Sequence, residues 1–289
     1  MVDDDLAESR KSSLFVGSLE KGLQILRTFD RERREMGLFE LAEASGLDKS
    51  STQRFTYTLH ALGFLKKDAA TKKYALSPKV LELGFSYLYA NSMLEHAMPL
   101  LYEANQTCGE TINISELLGT EVVYIARVPG RHLISVDIFL GMRVPAFACA
   151  PGRAILAFLD PAEAAAVLDR TELRKFTAAT LATRPALERE LARIRRDGYA
   201  LAAEQCYPGE LSAAAPILDG RGLPIAALNV SVPTSRWSVA EVKEKLVPLI
   251  LETAALIARG GAPKPHRWSD PRLPALATRK RRSSAPGKS

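Results

Sequence analysis

No run of eighteen apolar residues occurs in the 289-residue chain, so no transmembrane helix is expected. The first residues, MVDDDLAESRKSS, are acidic and polar and lack the apolar core of a signal peptide. Cysteine is scarce: Cys108, Cys149 and Cys206 are far apart and odd in number. That pattern gives neither a disulfide framework nor a CxxC metal site, and it points to a reducing, cytoplasmic home. Of the four histidines, His60, His96, His132 and His266, none has an HxxxH, HxH or GxSxG neighbourhood. The common hydrolase and zinc signatures are therefore missing, and the glycines form neither a P-loop nor a dinucleotide fingerprint. A non-enzyme with no metal and no cofactor is expected.

What is present suits a globular protein of two domains: 47% hydrophobic and 25% charged residues, at a length generous for one core. The net charge of +6 is unevenly placed. From Gly260 onward there are eight Lys/Arg and one Asp, a local +7 that leaves −1 for everything before it. That end also has five prolines and the run Arg279-Lys280-Arg281-Arg282, a composition expected to be disordered. Within the body, residues 45–79 carry seven Lys/Arg against Asp48 and Asp68, the footprint of a phosphate-facing surface.

Residues 46–63, GLDKSSTQRFTYTLHALG, read as an amphipathic helix with Asp48 as N-cap. Thr52, Phe55, Thr56, Leu59 and Leu62 form one stripe. The other face offers Lys49, Ser50, Ser51, Gln53, Arg54 and Tyr57. Gln and Arg can bond base edges bidentately, and Lys and Ser can hold phosphates. A short helix at 38–44, LFELAEA, precedes it across Ser45-Gly46-Leu47, the spacing of a helix-turn-helix. A helix at 19–30, capped by Ser18, should complete a three-helix core through Leu19, Leu23, Ile25, Leu26 and Phe29. Two short strands, 64–67 and 72–76, read as a wing whose Lys72 and Lys73 are placed for phosphates. An ordinary helical hairpin with a solvated face is the alternative.

Ser77-Pro78 then starts a very apolar helix to about residue 90, read as a linker that packs against a second subunit. A helix at 93–107 is expected to kink at Pro99. Beyond residue 110 the texture is β-rich, with strands at 111–118, 121–128, 133–140, 199–204, 212–218 and 225–232. Helices are expected at 152–159, 161–170, 184–197 and 238–259. Antiparallel strands with segregated helices make an α+β domain.

Seven segments taken in order, SLEKGLQILRTF, LAEASGLDKSSTQRFTYTLHALGFL, KYALSPKVLELG, GETINISELLGTEVVYIARV, APGRAILAFL, IRRDGYALAAEQCYPGELSAAAPILD and ALNVSVP, resemble the IclR family of bacterial transcription regulators. The resemblance implies an N-terminal winged helix-turn-helix domain (15–77) and a linker helix (78–91). A C-terminal GAF/profilin-like effector-binding domain (92–260) would follow. Residues 1–14 and the basic tail 261–289 would lie outside as disordered ends. It further implies double-stranded operator DNA and a small-molecule effector as partners, and a homodimer or dimer of dimers, with no membrane. The positions matching the family's ligand pocket are Leu133, Ala150, Pro151, Glu210, Ser212, Asn229 and Ser231, with Tyr124 as an apolar wall. This sequence departs from the family in having Pro151 for Gly or Ala, Ser212 for Cys and Asn229 for Ser, and in lacking an acid near Ala202. Thr52 and Thr56 stand where aliphatics are usual. The STQR-like recognition helix is similar to those of regulators of aromatic-acid catabolism. A regulator sensing a small organic acid, including an aromatic one, is the expected function; the alternative is a DNA-binding protein whose C-terminal domain only dimerises.

Overall fold

The computed structural model describes residues 9–131 and 138–260. The basic tail, and residues 133–137 of the expected third strand with Leu133, lie outside the described residues. The chain divides in sequence at Pro99 and Leu100 into two compact units.

In the first unit, α1 (Gly17–Leu26), α2 (Leu38–Ser45) and α3 (Lys49–Ala61) precede strands β1 (Leu65–Lys67) and β2 (Tyr74–Leu76). Ile25, Met36, Leu41, Leu59 and Leu65 form its buried core. Helix α1 is capped at Val16, without a side-chain bond, rather than at Ser18. Leu19 and Leu23 are exposed, against the expected face, because six and two residues before Ile25 point to the far side of a 3.6-residue helix. Residues 9–14, expected to lack order, form hydrogen-bonded turns, and Arg10 reaches Glu20 at 2.6 Å.

A 3₁₀ turn at Pro78–Val80, capped by Ser77 Oγ accepting from Lys79 N, leads into α4 (Leu81–Ala90). Next comes α5 (Ser92–Cys108), which runs on through Pro99. The second unit carries β3 (Thr111–Leu118), β4 (Glu121–Val128), β5 (Arg143–Pro145), α6 (Ala150–Phe158), α7 (Pro161–Asp169) and α8 (Arg184–Asp197). Strands β6 (Ala200–Ala203), β7 (Glu210–Leu218) and β8 (Pro224–Pro233) complete an antiparallel sheet of order β5-β4-β3-β8-β7-β6. Residues 138–140, read as strand from sequence, are not in one. The expected long closing helix is present, capped by Ser238 and helical from Val239, with a π-helical turn at Val242–Leu246 leading into α9 (Val247–Gly260). Among the described residues, no helix is long and apolar enough to cross a membrane.

Two features fix the second unit's frame. Buried Glu110, ahead of β3, accepts from Arg236 Nη2 and Trp237 Nε1, both at 2.9 Å, and so ties the sheet to the segment after β8. The first turn of α6 lies so close to the turn after β5 that a Cβ on Gly152 would lie 2.2 Å from the carbonyl oxygen of Ala146. Only glycine fits that seat.

Candidate functional site

The first site is the face of α3. Asp48 Oδ1 accepts from Ser51 N at 2.8 Å, so the cap is made as the sequence predicts. The Ser51 hydrogen bonds hold the Asp48 carboxyl below the usual carboxylate range. Gly46, at φ +66°, makes the left-handed turn between α2 and α3 that a side chain would resist. Thr52, Thr56 and Leu59 face inward and Phe55 is half-buried. Leu62 is exposed because α3 ends at Ala61. Buried Thr52 satisfies its hydroxyl on Asp48 O at 2.9 Å, which is how a polar side chain stands where an aliphatic is usual. Lys49, Ser50, Gln53, Arg54 and Tyr57 are all exposed on one continuous surface, with Ser51 half-buried. His60 lies at the helix end, its Nδ1 2.9 Å from Leu65 O, and so joins α3 to the wing.

The wing's strands are three residues each, shorter than the sequence indicates. Its tip is a hydrogen-bonded turn: Asp68 Oδ1 accepts from Ala70 N and Thr71 N at 3.0 and 2.6 Å. Lys72 occupies the left-handed region at φ +59°, which ends the ladder before Lys73. Lys72 is exposed and Lys73 half-buried. Lys67 Nζ lies 5.0 Å over the Tyr74 ring.

The second site is one face of the large sheet. Register places Asn113 opposite Asn229, Thr111 opposite Ser231, and Ser212 opposite Ser231. Residues paired across strands share a face, so these side chains stand together with Glu210, two residues from Ser212. A bulge between Ile114 and Ser115 brings Tyr124 opposite Ser115 while Arg127 stays opposite Asn113. Three residues apart, those two would face opposite ways in a regular strand. Helix α6 covers the alanine part of this face: Cys149, Ala150 and Ala154 pack with Tyr124, Ala202, Ala214 and Ala227.

The polar groups are bonded to one another. Asn229 Nδ2 donates to Ser212 Oγ at 3.2 Å and to Ser231 Oγ at 3.1 Å. Ser231 also bonds Glu210, but burial dominates and pushes that carboxyl up to about 7. The thiols of Cys149 and Cys206 are each pushed up to about 12 by burial, and burial raises the Tyr124 phenol well above its ordinary value. Tyr124, Glu210, Ser212, Asn229 and Ser231 thus share one buried face, with Ala150 and Pro151 at the buried start of α6. Leu133 is outside the described residues. Arg131 donates to Gln106 Oε1 at 2.6 Å, and Arg127 stands opposite Asn113 on the polar face by register.

Sequence reasoning missed Asn113, Ser115 and Arg153. Asn113 and Ser115 are fully buried, and the alternation in TINIS was their signal, since every second residue is polar. Arg153, in α6, is also fully buried; its Nη1 lies 3.9 Å from Glu190 Oε1. A GRAIL segment read as an ordinary helix gave no sign of it.

Residues 18–69 match the IclR helix-turn-helix domain and residues 85–259 the bacterial transcriptional regulator IclR C-terminal domain. The Pca regulon regulatory protein of Pseudomonas putida is 32% identical over 82% of this chain and 81% of its own length. A transcriptional regulator from Rhodococcus sp. RHA1 has the same architecture, with a TM-score of 0.76 and 36% identity over 85% of this chain and 98% of that one. An IclR homologue from Microbacterium hydrocarbonoxydans, crystallised with 4-hydroxybenzoate, shares the fold at a TM-score of 0.72 and 24% identity, covering 84% of this chain and 98% of its own. With a DNA-reading helix-turn-helix ahead of an effector domain, the chain belongs to the IclR family of bacterial transcription regulators.

Proposed function

We propose that this regulator senses a small organic acid, aromatic acids included, on the polar face of its sheet, and that binding changes its affinity for operator DNA. The observation that carries the reading is the Ser212–Asn229–Ser231 cluster. It is buried beside Glu210, and its neighbours on the same face include Ala214 and Ala227. A fold needs no such cluster there, and small-molecule sites are apolar walls with a few converging polar groups. Arg127 stands on the same face by register and brings a positive charge to it. The Microbacterium homologue's ligand gives a first compound to try; at 24% identity its likeness speaks for the fold alone. Burial keeps the Cys149 and Cys206 thiols protonated at neutral pH, and this reading gives neither a nucleophilic role. For a bacterial regulator acting on DNA, the cytoplasm is the proposed place of work. Replacing Ser212 with Phe and Asn229 with Leu should abolish acid binding in calorimetric titrations of the full chain. Undiminished binding by that variant would place the ligand elsewhere.

In the DNA-binding unit we assign base reading to Gln53 and Arg54. Lys49, Ser50, Ser51 and Tyr57 are assigned backbone contacts, with Lys72 and Lys73 on flanking phosphates. Lys72→Ala and Lys73→Ala should weaken binding to every duplex alike and reduce the salt slope by about one each. Titrations at several salt concentrations decide the point: an unchanged slope removes the wing from the interface.

The working form is proposed to be a homodimer or a dimer of dimers. Helix α4 leaves Leu81 69%, Phe85 65% and Tyr89 83% exposed, an apolar surface that monomers rarely present. Twofold symmetry would match a palindromic operator. Sedimentation at micromolar concentration should show a dimer or larger, and Leu81→Glu with Phe85→Glu should shift it to monomer. A wild-type monomer would contradict the assignment.

A further inference from the structure

We propose that Asn113 and Ser115 extend the ligand floor formed by Asn229 and that these three side chains together read a hydroxyl group of the bound acid, so that hydroxylated carboxylates are preferred over their parent acids. The inference rests on the acid-sensing reading above and adds the ligand's second functional group and the residues that recognise it.

Among the described residues, Asn113 Oδ1, Asn113 Nδ2, Ser115 Oγ and Asn229 Oδ1 are buried without a hydrogen-bond partner. All three residues are completely inaccessible to solvent. An orphaned buried polar atom forfeits the full cost of its desolvation, and folded proteins leave few of them. Four such atoms fall on one face of two neighbouring strands. Asn113 pairs with Asn229 across β3 and β8, and Ser115 follows two residues along β3 on the same face. They adjoin the Ser212–Asn229–Ser231 cluster rather than being scattered through the core.

Donor and acceptor accounting identifies the missing group. Ser231 bonds the Glu210 carboxyl and its oxygen accepts from Asn229 Nδ2. The second Asn229 amide hydrogen goes to Ser212 Oγ. Asn229 therefore presents only its carbonyl oxygen, an acceptor. A carboxylate against that oxygen would be acceptor against acceptor; a hydroxyl donates to it. The same hydroxyl oxygen can accept from the Asn113 amide or the Ser115 hydroxyl, each of which both donates and accepts. A ligand lacking the hydroxyl leaves these atoms unpaired, and sites built to bond a hydroxyl discriminate against such analogues far more strongly than apolar pockets do.

The test is calorimetric titration of the full chain with matched pairs, 4-hydroxybenzoate against benzoate and lactate against propionate. In at least one pair the hydroxylated acid should bind about 10- to 100-fold more tightly. Ser115→Ala, which removes one atom, and Asn113→Leu should narrow that gap to within a few-fold, chiefly by weakening the hydroxylated acid. Retained circular dichroism and operator binding show that each variant is folded, and Ser115→Ala suffices alone if Asn113→Leu is not. Equal affinities within every pair, or a gap that survives Ser115→Ala, overturn the inference and leave the acid reading standing. Binding of none of the four acids overturns the acid reading and this inference with it.

Discussion

Alanine at both Gln53 and Arg54 is expected to lower operator affinity by about 2–6 kcal/mol, at least 30-fold, because a good bidentate base contact contributes roughly 1–3 kcal/mol. Both side chains are exposed, and neither position is among the residues that form the unit's core. Stability should therefore stay within about 0.5 kcal/mol of wild type. The two changes can also be told apart. Gln53→Ala should relax preference at one base position, whereas Arg54→Ala should cost affinity mainly where a guanine is read. The measurement is anisotropy titration against a duplex selected from a random pool by the full chain, repeated on scrambled DNA. If the double variant holds the selected duplex as tightly as wild type, α3 is not the reader.

Gly152→Ala is expected to be the most damaging single methyl in the effector domain. Its Cβ would sit 2.2 Å from Ala146 O and 2.4 Å from Ala146 Cα, and these are backbone atoms that cannot rotate aside. Overpacking a tight core costs about 1–3 kcal/mol, occasionally more, and this contact is at the upper end. At 2–4 °C per kcal/mol for a domain of this size, its melting temperature should fall by roughly 6–12 °C. Displacing α6 also disturbs Ala150 and Ala154, which pack with Tyr124 and Ala202 on the polar face of the sheet, so the proposed acid binding should weaken too. Gly22→Ala is the control: it is helical with nothing within 4 Å, and should gain about 0.5–1 kcal/mol. An unchanged melting temperature for Gly152→Ala would mean that α6 is not seated as described.

The elements legible in the sequence are those with a strong period and a cap. Helix α3 was marked by Asp48 and by the inward stripe of Thr52, Phe55, Thr56 and Leu59; α8 begins and ends at Arg184 and Asp197 as the sequence indicates. The β3–β4 hairpin was equally plain, bounded by Gly119. Three-residue β5 escaped because so short a segment shows no alternation. The π-helical turn at Val242–Leu246 escaped because its apolar spacing still reads as a helix. Helix α1 shows a limit of composition: Leu19 and Leu23 are apolar, yet only Ile25 reaches full burial.

The polar face of the sheet was legible only in part, for a related reason. Ser212, Asn229 and Ser231 were found by likeness to a family, and strand alternation would have added Asn113 and Ser115. Tyr124 and Arg127 could not have been put on one face from periodicity, since the bulge at Ile114/Ser115 breaks the period between them. Nor does sequence reveal which buried polar atoms remain without partners, because that depends on which strands become neighbours.

Operator affinity measured with and without a saturating acid tests the central claim most directly. A ligand shifts a regulator only if it binds one of two conformations better, and coupling of about 1–3 kcal/mol corresponds to roughly a 5- to 150-fold change. Wild-type chain bound to its selected duplex should show such a change with the tightest-binding acid of the four named above. The variant carrying Ser212→Phe and Asn229→Leu should bind the duplex within a few-fold of wild type and show none. Identical operator affinity for wild type in the absence and presence of a saturating bound acid would contradict the account and leave the effector domain a dimerisation module.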